Sequence, residues 1–340
     1  MNARGQLHPP HAPIIEILMN LWKARALYAA ARLAVPDLVA AGRHTVEDLA
    51  QATQTHAPSL HRLLRALAGC GFLAETEPGY FALTPLGDAL RTDAPGAAHA
   101  TVLTLAGDWQ WKAWDHFIYS LRTGEPAMLQ AFGKTLFEYL VESPQDSARF
   151  NEAMIGMHGR DGSAIVEVID FSTFRTLADL GGGTGTLLTT VLSAHEHLRG
   201  LLLELPETIP HARRLVAERG LTDRCELRAG DFFHEVPPGH DGYILAHVLH
   251  DWTDAQASVI LRNCRRAIPQ HGRLLIAEAV VPAGDTPHPV KLMDLLMLTV
   301  TGGVERTAEQ FSALLEAGGF RLRRVVRTSI DLEIIEAVPA

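Results

Sequence analysis

The chain has 340 residues, 47% hydrophobic and 20% charged, with a formal net charge of −9. That length is comfortable for two domains with a sizeable core in each, and the acidic balance argues against a general nucleic-acid binder. The three cysteines, Cys70, Cys225 and Cys264, lie far apart without a CxxC pair; they are neither a disulfide framework nor a zinc signature, and they point to a reducing compartment.

Residues 1–11 are polar and proline-containing, without the basic and then apolar order of a leader. Ile14-Ile15-Glu16-Ile17-Leu18-Met19 is interrupted by charge and too short to span a bilayer. The expectation is a cytoplasmic protein with no membrane association. Pro13–Arg32 is apolar at helical spacing, and so much apolar surface on a terminal helix calls for a partner, either a second domain or another subunit.

Between Thr45 and Arg91 the pattern is helix, helix, hairpin. Thr45 is placed to cap a helix over Val46–Ala52, Pro58 suits the first turn of a helix over Ser59–Ala68, and Gly69 and Gly71 stop it. Short strands Phe72–Glu75 and Tyr80–Leu83 flank Pro78-Gly79. This is a winged-helix arrangement. DNA binding is one use of that shape, but Glu75 and Glu77 put acid on the wing, which opposes phosphate contact. A helical interaction module is the other. His99–Ile169 reads as all-helical, and its aromatics Trp109, Trp111, Trp114, Phe132, Phe137 and Phe150 read as packing.

From Leu177 short apolar strands alternate with helices, the signature of a mostly parallel α/β sheet. The strands expected are Leu177–Leu180, Gly200–Glu204, Cys225–Arg228, Gly242–His247, Arg273–Val281, Arg321–Arg327 and Leu332–Val338. A short turn joins the last two, so they are antiparallel. Ligands of such sheets bind beyond the carboxyl ends of the strands.

The run Asp179-Leu180-Gly181-Gly182-Gly183-Thr184-Gly185 leads from a strand into a turn that glycines allow, then into a helix. Gly181 and Gly183 fill two places of the nicotinamide fingerprint, but the third falls on Thr186, and no G-K-[ST] follows. Glu204 ends the second strand, where a carboxylate can accept from both ribose hydroxyls. Gly230-Asp231-Phe232-Phe233 follows the third, and a carboxylate beside aromatics suits adenine. Glycine loop, Glu204 and Asp231 at successive strand ends form a joint signal for an adenosyl group.

With these motifs the chain resembles the class I S-adenosylmethionine-dependent small-molecule O-methyltransferases of plant phenolic and bacterial natural-product type. The resemblance covers nearly the whole chain. It includes Gly124-Glu125-Pro126-Ala127, the glycine run, Gly230-Asp231-Phe232-Phe233, His247-Val248-Leu249-His250-Asp251-Trp252 and Gly302-Gly303-Val304-Glu305-Arg306-Thr307. It implies a C-terminal Rossmann-like methyltransferase domain (171–340) of α/β class, with a mostly parallel sheet whose last strand is antiparallel. Before it come an N-terminal winged-helix-like dimerisation domain (1–95) and a helical linker (96–170) contributing to the substrate pocket. S-adenosylmethionine is the cofactor implied, S-adenosylhomocysteine the product, a small aromatic molecule the acceptor, and a homodimer the assembly.

The resemblance assigns His250 as general base, and the chemistry agrees: a phenol of pKa about 10 is little ionised at neutral pH, and an imidazole near 6.5 can accept its proton. Family members orient this histidine with acids, and the matching positions are Glu278 and Glu305; Asp251 caps locally or holds the loop. His247 borders the cofactor or packs. His247 and His250 alone could suggest a metal, but no third ligand has a persuasive spacing, so none is expected. Met293, Leu296, Met297 and Val300 share one helix face, which reads as core from spacing alone and as acceptor pocket from the family; Met154, Met157 and His158 are similar candidates. Two departures stand out: Glu204 where many relatives have aspartate, and Ala246 where many carry a lysine that contacts the cofactor. The competing readings are N- or C-methylation, a relative that hydroxylates or decarboxylates without methyl transfer, and a winged-helix DNA-binding regulator.

Overall fold

The computed structural model describes Pro9 and residues 11–340; the remainder of the polar stretch 1–11 lies outside the described residues. The chain divides into two compact units, one running to Trp111 and taking in Gln145–Met157, the other comprising Lys112–Pro144 and His158–Ala340.

The first unit opens with a helix over Ala12–Arg32, whose N-terminal half is exposed: Ile17 and Trp22 are 68% and 67% accessible. Thr45 caps the helix Val46–Thr53 by accepting the Asp48 N–H, as its sequence position predicts. The helix Ala57–Gly69 follows, with Pro58 in its first turn. The hairpin is β1 (Leu73–Glu77) against β2 (Tyr80–Leu83). Leu49, Leu64 and Phe81 are fully buried at the centre of this unit, where both helices and the hairpin meet.

The second unit is built on a seven-stranded sheet of β3 (Thr176–Leu180), β4 (Arg199–Glu204), β5 (Cys225–Ala229), β6 (Gly242–Ala246), β7 (Arg273–Glu278), β8 (Phe320–Arg327) and β9 (Glu333–Pro339). Their order is β5-β4-β3-β6-β7-β9-β8. Strands β3 to β7 pair in parallel, and β9 is antiparallel to both β7 and β8. The inner strands β3, β4, β6 and β7 are covered on both faces and read as near-continuous apolar runs, whereas the edge strands β5 and β8 carry exposed charged residues. Successive side chains of β7 go to opposite cores: Leu274 and Ile276 to one, Leu275 and Ala277 to the other.

Strand order reverses between β3 and β6, with β4 on one side and β7 on the other. The crevice at this switch point opens at the carboxyl ends of the two strands. The glycine run follows β3 and His247–His250 follows β6, so both motifs flank it.

Two strands end earlier than their apolar runs suggest. β6 stops at Ala246 because His247 turns into the left-handed region with φ of 52°. β7 stops at Glu278 because the next residues leave the sheet to pair with the Glu305–Arg306 segment, Val280 bridging Arg306 and the Val281 N–H donating to the Arg306 carbonyl.

Candidate active site

After β3 the backbone passes through Gly181, Gly183 and Gly185 with φ of 73°, 59° and 80°, a region in which glycine alone is unstrained. A Cβ at Gly183 would meet nothing within 4 Å, so this backbone faces open space. Glu204 braces the loop: one carboxylate oxygen accepts the Gly183 N–H at 2.9 Å and the other the Leu205 N–H at 2.7 Å. Each oxygen has a second lone pair, so bracing the loop is compatible with receiving a diol. Asp179 lies beneath, fully buried, with neither carboxylate oxygen hydrogen-bonded among the described residues. Burial, reinforced by the charge of Glu204, pushes it up to about 7. An orphaned carboxyl under an open glycine backbone is costly by itself and fits a ligand that brings hydrogen-bond donors, as an adenosyl cofactor does.

Asp231 sits on the turn after β5. Its Oδ1 accepts the Phe233 N–H at 2.8 Å and its Oδ2 pairs with His234 Nδ1 at 2.9 Å. Phe232 comes close to the glycine loop: a Cβ on Gly181 would lie 3.1 Å from its ring. The Asn263 side chain fixes this segment by donating to the carbonyls of Phe232 and Phe233, each at 2.8 Å. The Gly230 N–H donates to the Glu204 carbonyl at 3.0 Å, joining the two candidate cofactor segments.

His250 lies in a single turn, Leu249–Asp251, between β6 and the helix Asp254–Ala267. Its Nδ1–H donates to Glu305 Oε1 at 2.8 Å, the two side chains being 12% and 2% exposed. Nε2 takes no part in this bond. The two glutamates play different parts: Glu278 Oε1 accepts the backbone N–H of His250 at 3.1 Å and so holds the turn, while Glu305 bonds the ring. Burial by itself would lower the imidazole, but the bond to Glu305 and the charges of Asp251, Glu278 and Glu305 outweigh it and raise it to about 10. Burial also pushes Glu278 up to about 7 and Asp251 up to about 6. Trp252 stacks on Phe137 at 5.5 Å and meets Phe233 edge-on at 4.7 Å, a packing role.

His247 belongs to a cluster that the sequence did not suggest. Its Nε2–H donates to Asp161 Oδ2 at 2.8 Å, and His158 Nδ1 approaches the same oxygen at 3.4 Å. Burial, together with the neighbouring His158, lowers His247 to about 4, so its ring is neutral. Burial would raise Asp161, but the bonds to His158 and His247 prevail and hold it below the ordinary carboxylate value. One ligand atom from each of the three lies within 4.8 Å of the others. Asp161 is thus the third metal-type ligand that spacing alone lacked, although hydrogen bonding within the trio already engages it.

The acceptor candidates Met293, Leu296, Met297 and Val300 lie on the helix Val290–Val300, with Met293 and Leu296 half-buried and Met297 and Val300 buried. This helix packs on the helices Phe117–Thr123 and Ala127–Phe132. Two distant motifs meet here, since a Cβ on Gly302 would lie 3.1 Å from Pro126. Met154 and Met157, on the helix Pro144–His158, belong to the first unit. Ala246 is half-buried against the core at the end of β6.

Sequence reasoning left out Arg306, which is fully buried. Its guanidinium donates to the carbonyls of Leu249, Val304 and Trp252 and to Asp254 at 2.8 to 3.2 Å, clamping the His250 turn to the Glu305 loop. A charged residue inside a quoted motif was the available signal. Asp161 offered only its i+3 spacing from His158, because its other partner is 86 residues away.

Residues 114–321 match the O-methyltransferase domain family and residues 15–93 the O-methyltransferase dimerisation domain. The chain is 41% identical over 338 residues to a phenazine O-methyltransferase, PhzM, of Lysobacter antibioticus, covering 99% of each protein. It is 37% identical to an 8-amino-8-demethylriboflavin N,N-dimethyltransferase of Streptomyces davaonensis, covering 89% of this chain and 88% of that one. Among solved structures it resembles the O-methyltransferase NcsB1 from neocarzinostatin biosynthesis in complex with S-adenosylmethionine and 2-hydroxy-5-methyl naphthoic acid. That likeness has a TM-score of 0.83 at 34% identity and covers 94% of this chain and 96% of that one. No helix among the described residues is long and apolar enough to cross a membrane.

Proposed function

The chain belongs to the O-methyltransferase family, and on that premise we propose that it methylates a phenolic hydroxyl of an aromatic natural product, using S-adenosylmethionine and His250 as general base. The observation that carries this reading is the buried His250–Glu305 pair at the carboxyl end of β6, beside the open glycine backbone that follows β3. When bound, S-adenosylmethionine supplies an electrophilic methyl group on a sulfonium and leaves as S-adenosylhomocysteine. Gly181, Gly183, Gly230 and Asp179 would receive it, with Glu204 on the ribose and Asp231, Phe232 and Phe233 on the adenine; His247 borders the site. His250 Nε2 takes the phenolic proton, and Glu305 fixes the tautomer and stabilises the imidazolium that forms. No metal is needed for these steps.

Met293, Leu296, Met297, Val300 and His158 are proposed to shape the acceptor pocket, with methionines adapting to a flat ring. Residues 1–95 are assigned to homodimerisation, 96–170 to the linker and 171–340 to catalysis, in a cytoplasmic enzyme. The test is His250→Ala with a panel of phenolic acceptors. Turnover should fall by roughly 10²- to 10⁴-fold, the usual worth of general-base catalysis, with cofactor binding retained. Unaltered turnover removes His250 from the mechanism. N-methylation is the second reading, favoured by the N,N-dimethyltransferase relative; amine acceptors in the same panel separate the two.

A further inference from the structure

Asp294 lies on the helix Val290–Val300, beside Met293 and one turn before Met297, and belongs to none of the motifs quoted above. Its Oδ1 accepts the backbone N–H of Glu305 at 2.8 Å. Glu305 is 4% exposed, so without this acceptor its N–H would be a buried donor with no partner, a costly state that the loop would relieve by moving. The loop has little room in which to move harmlessly. The adjacent Val304 N–H donates to the carbonyl of His250 at 2.9 Å, and a Cβ on Gly303 would lie 1.9 Å from that same carbonyl oxygen. Displacing the Glu305 backbone therefore displaces its carboxylate from His250 Nδ1.

We infer that Asp294 is a positioning residue: from the acceptor helix it fixes the Glu305 backbone and through it the His250–Glu305 hydrogen bond. The inference rests on the reading of His250 as the base, and it links the helix proposed to hold the acceptor to the group that deprotonates it. The groups facing His250 are Glu305, Glu278, Asp251 and the neutral ring of His247. Arg306 holds the turn from the other side through the Leu249 and Trp252 carbonyls. Asp294 thus acts on His250 through Glu305.

The experiment compares Asp294→Ala and Asp294→Asn by steady-state kinetics, cofactor binding and an NMR titration of the His250 ring. Asn keeps an oxygen acceptor for the Glu305 N–H, and Ala does not. For Asp294→Ala, kcat should fall roughly tenfold or more with cofactor binding retained, and His250 should titrate roughly one unit lower as its bond to Glu305 loosens. Asp294→Asn should stay within about threefold of the parent kcat, since the hydrogen bond survives. If Asp294→Ala does not fold, Asp294→Ser, too short to reach the loop, takes its place with the same expected result. An unmoved His250 titration with unchanged kcat overturns the inference, whatever happens to thermal stability. So does an Asn variant as impaired as the Ala one. The titration needs no substrate, so it reads the coupling even if His250→Ala were to leave turnover intact; failure of the base assignment and failure of the Asp294 link are therefore distinguishable.

Discussion

At His250 the ring nitrogens differ: Nδ1–H is held by Glu305, and Nε2 is the atom proposed for the chemistry. The imidazole, raised to about 10, is protonated at neutral pH before any cation arrives. Its native proton affinity exceeds the unfolded value, so this pairing stabilises the fold fully below pH of about 6.5 and loses that contribution as pH rises through about 10. A sulfonium close enough for methyl transfer opposes the imidazolium by Coulomb repulsion, and His250 should release its proton as the cofactor binds. Calorimetry in buffers of different ionisation enthalpy should therefore report protons released near pH of about 8, between the free and native imidazole values, with affinity for the cofactor rising with pH. Glu278 and Asp179, each at about 7, are the other groups able to contribute. Glu278→Gln should keep the release if His250 is its source, and a buffer-independent binding heat in the parent would contradict the assignment.

The elements around the site are held by short-range devices. Thr253 and Gln256 form a reciprocal capping box at the start of the helix Asp254–Ala267, immediately after the His250 turn. Thr253→Ala should cost about 1 kcal/mol of stability, read as a lower denaturant midpoint with an unchanged slope; an unchanged midpoint would make the cap dispensable. This cap, the Thr45 cap, the glycine turn and the apolar run of β7 were legible in the sequence because each is specified within a few residues. The early ends of β6 and β7 were not. Ala279, Val280 and Val281 continue the apolar pattern of β7 and cannot be told from a strand by that pattern. Only the Arg306 segment, distant in sequence, draws them out of the sheet.

Across the whole molecule, the exposed apolar half of the helix Ala12–Arg32 belongs to a stretch that matches a dimerisation domain. Apolar exposure on this scale marks an interaction surface, and a second copy of the chain is the partner proposed. Ile17→Asp combined with Trp22→Asp should shift the sedimenting species from dimer toward monomer; a parent that sediments as a monomer would refute the assembly. The exposed acids Glu75 and Glu77 of β1 still speak against phosphate binding by the hairpin.

The sequence by itself determined the α/β order of the second half, the glycine turn, the helix–helix–hairpin unit and the position of His250 beyond a parallel strand, because turn chemistry and apolar periodicity act over short spans. Only the tertiary structure decided that Glu305 rather than Glu278 meets the imidazole, that Asp161 joins His247, and that Asp294 and Arg306 hold the Glu305 loop. Those pairings span 11 to 86 residues, and which of several acids reaches a given ring is set by how sheet, loop and helix pack, a choice that local pattern does not encode.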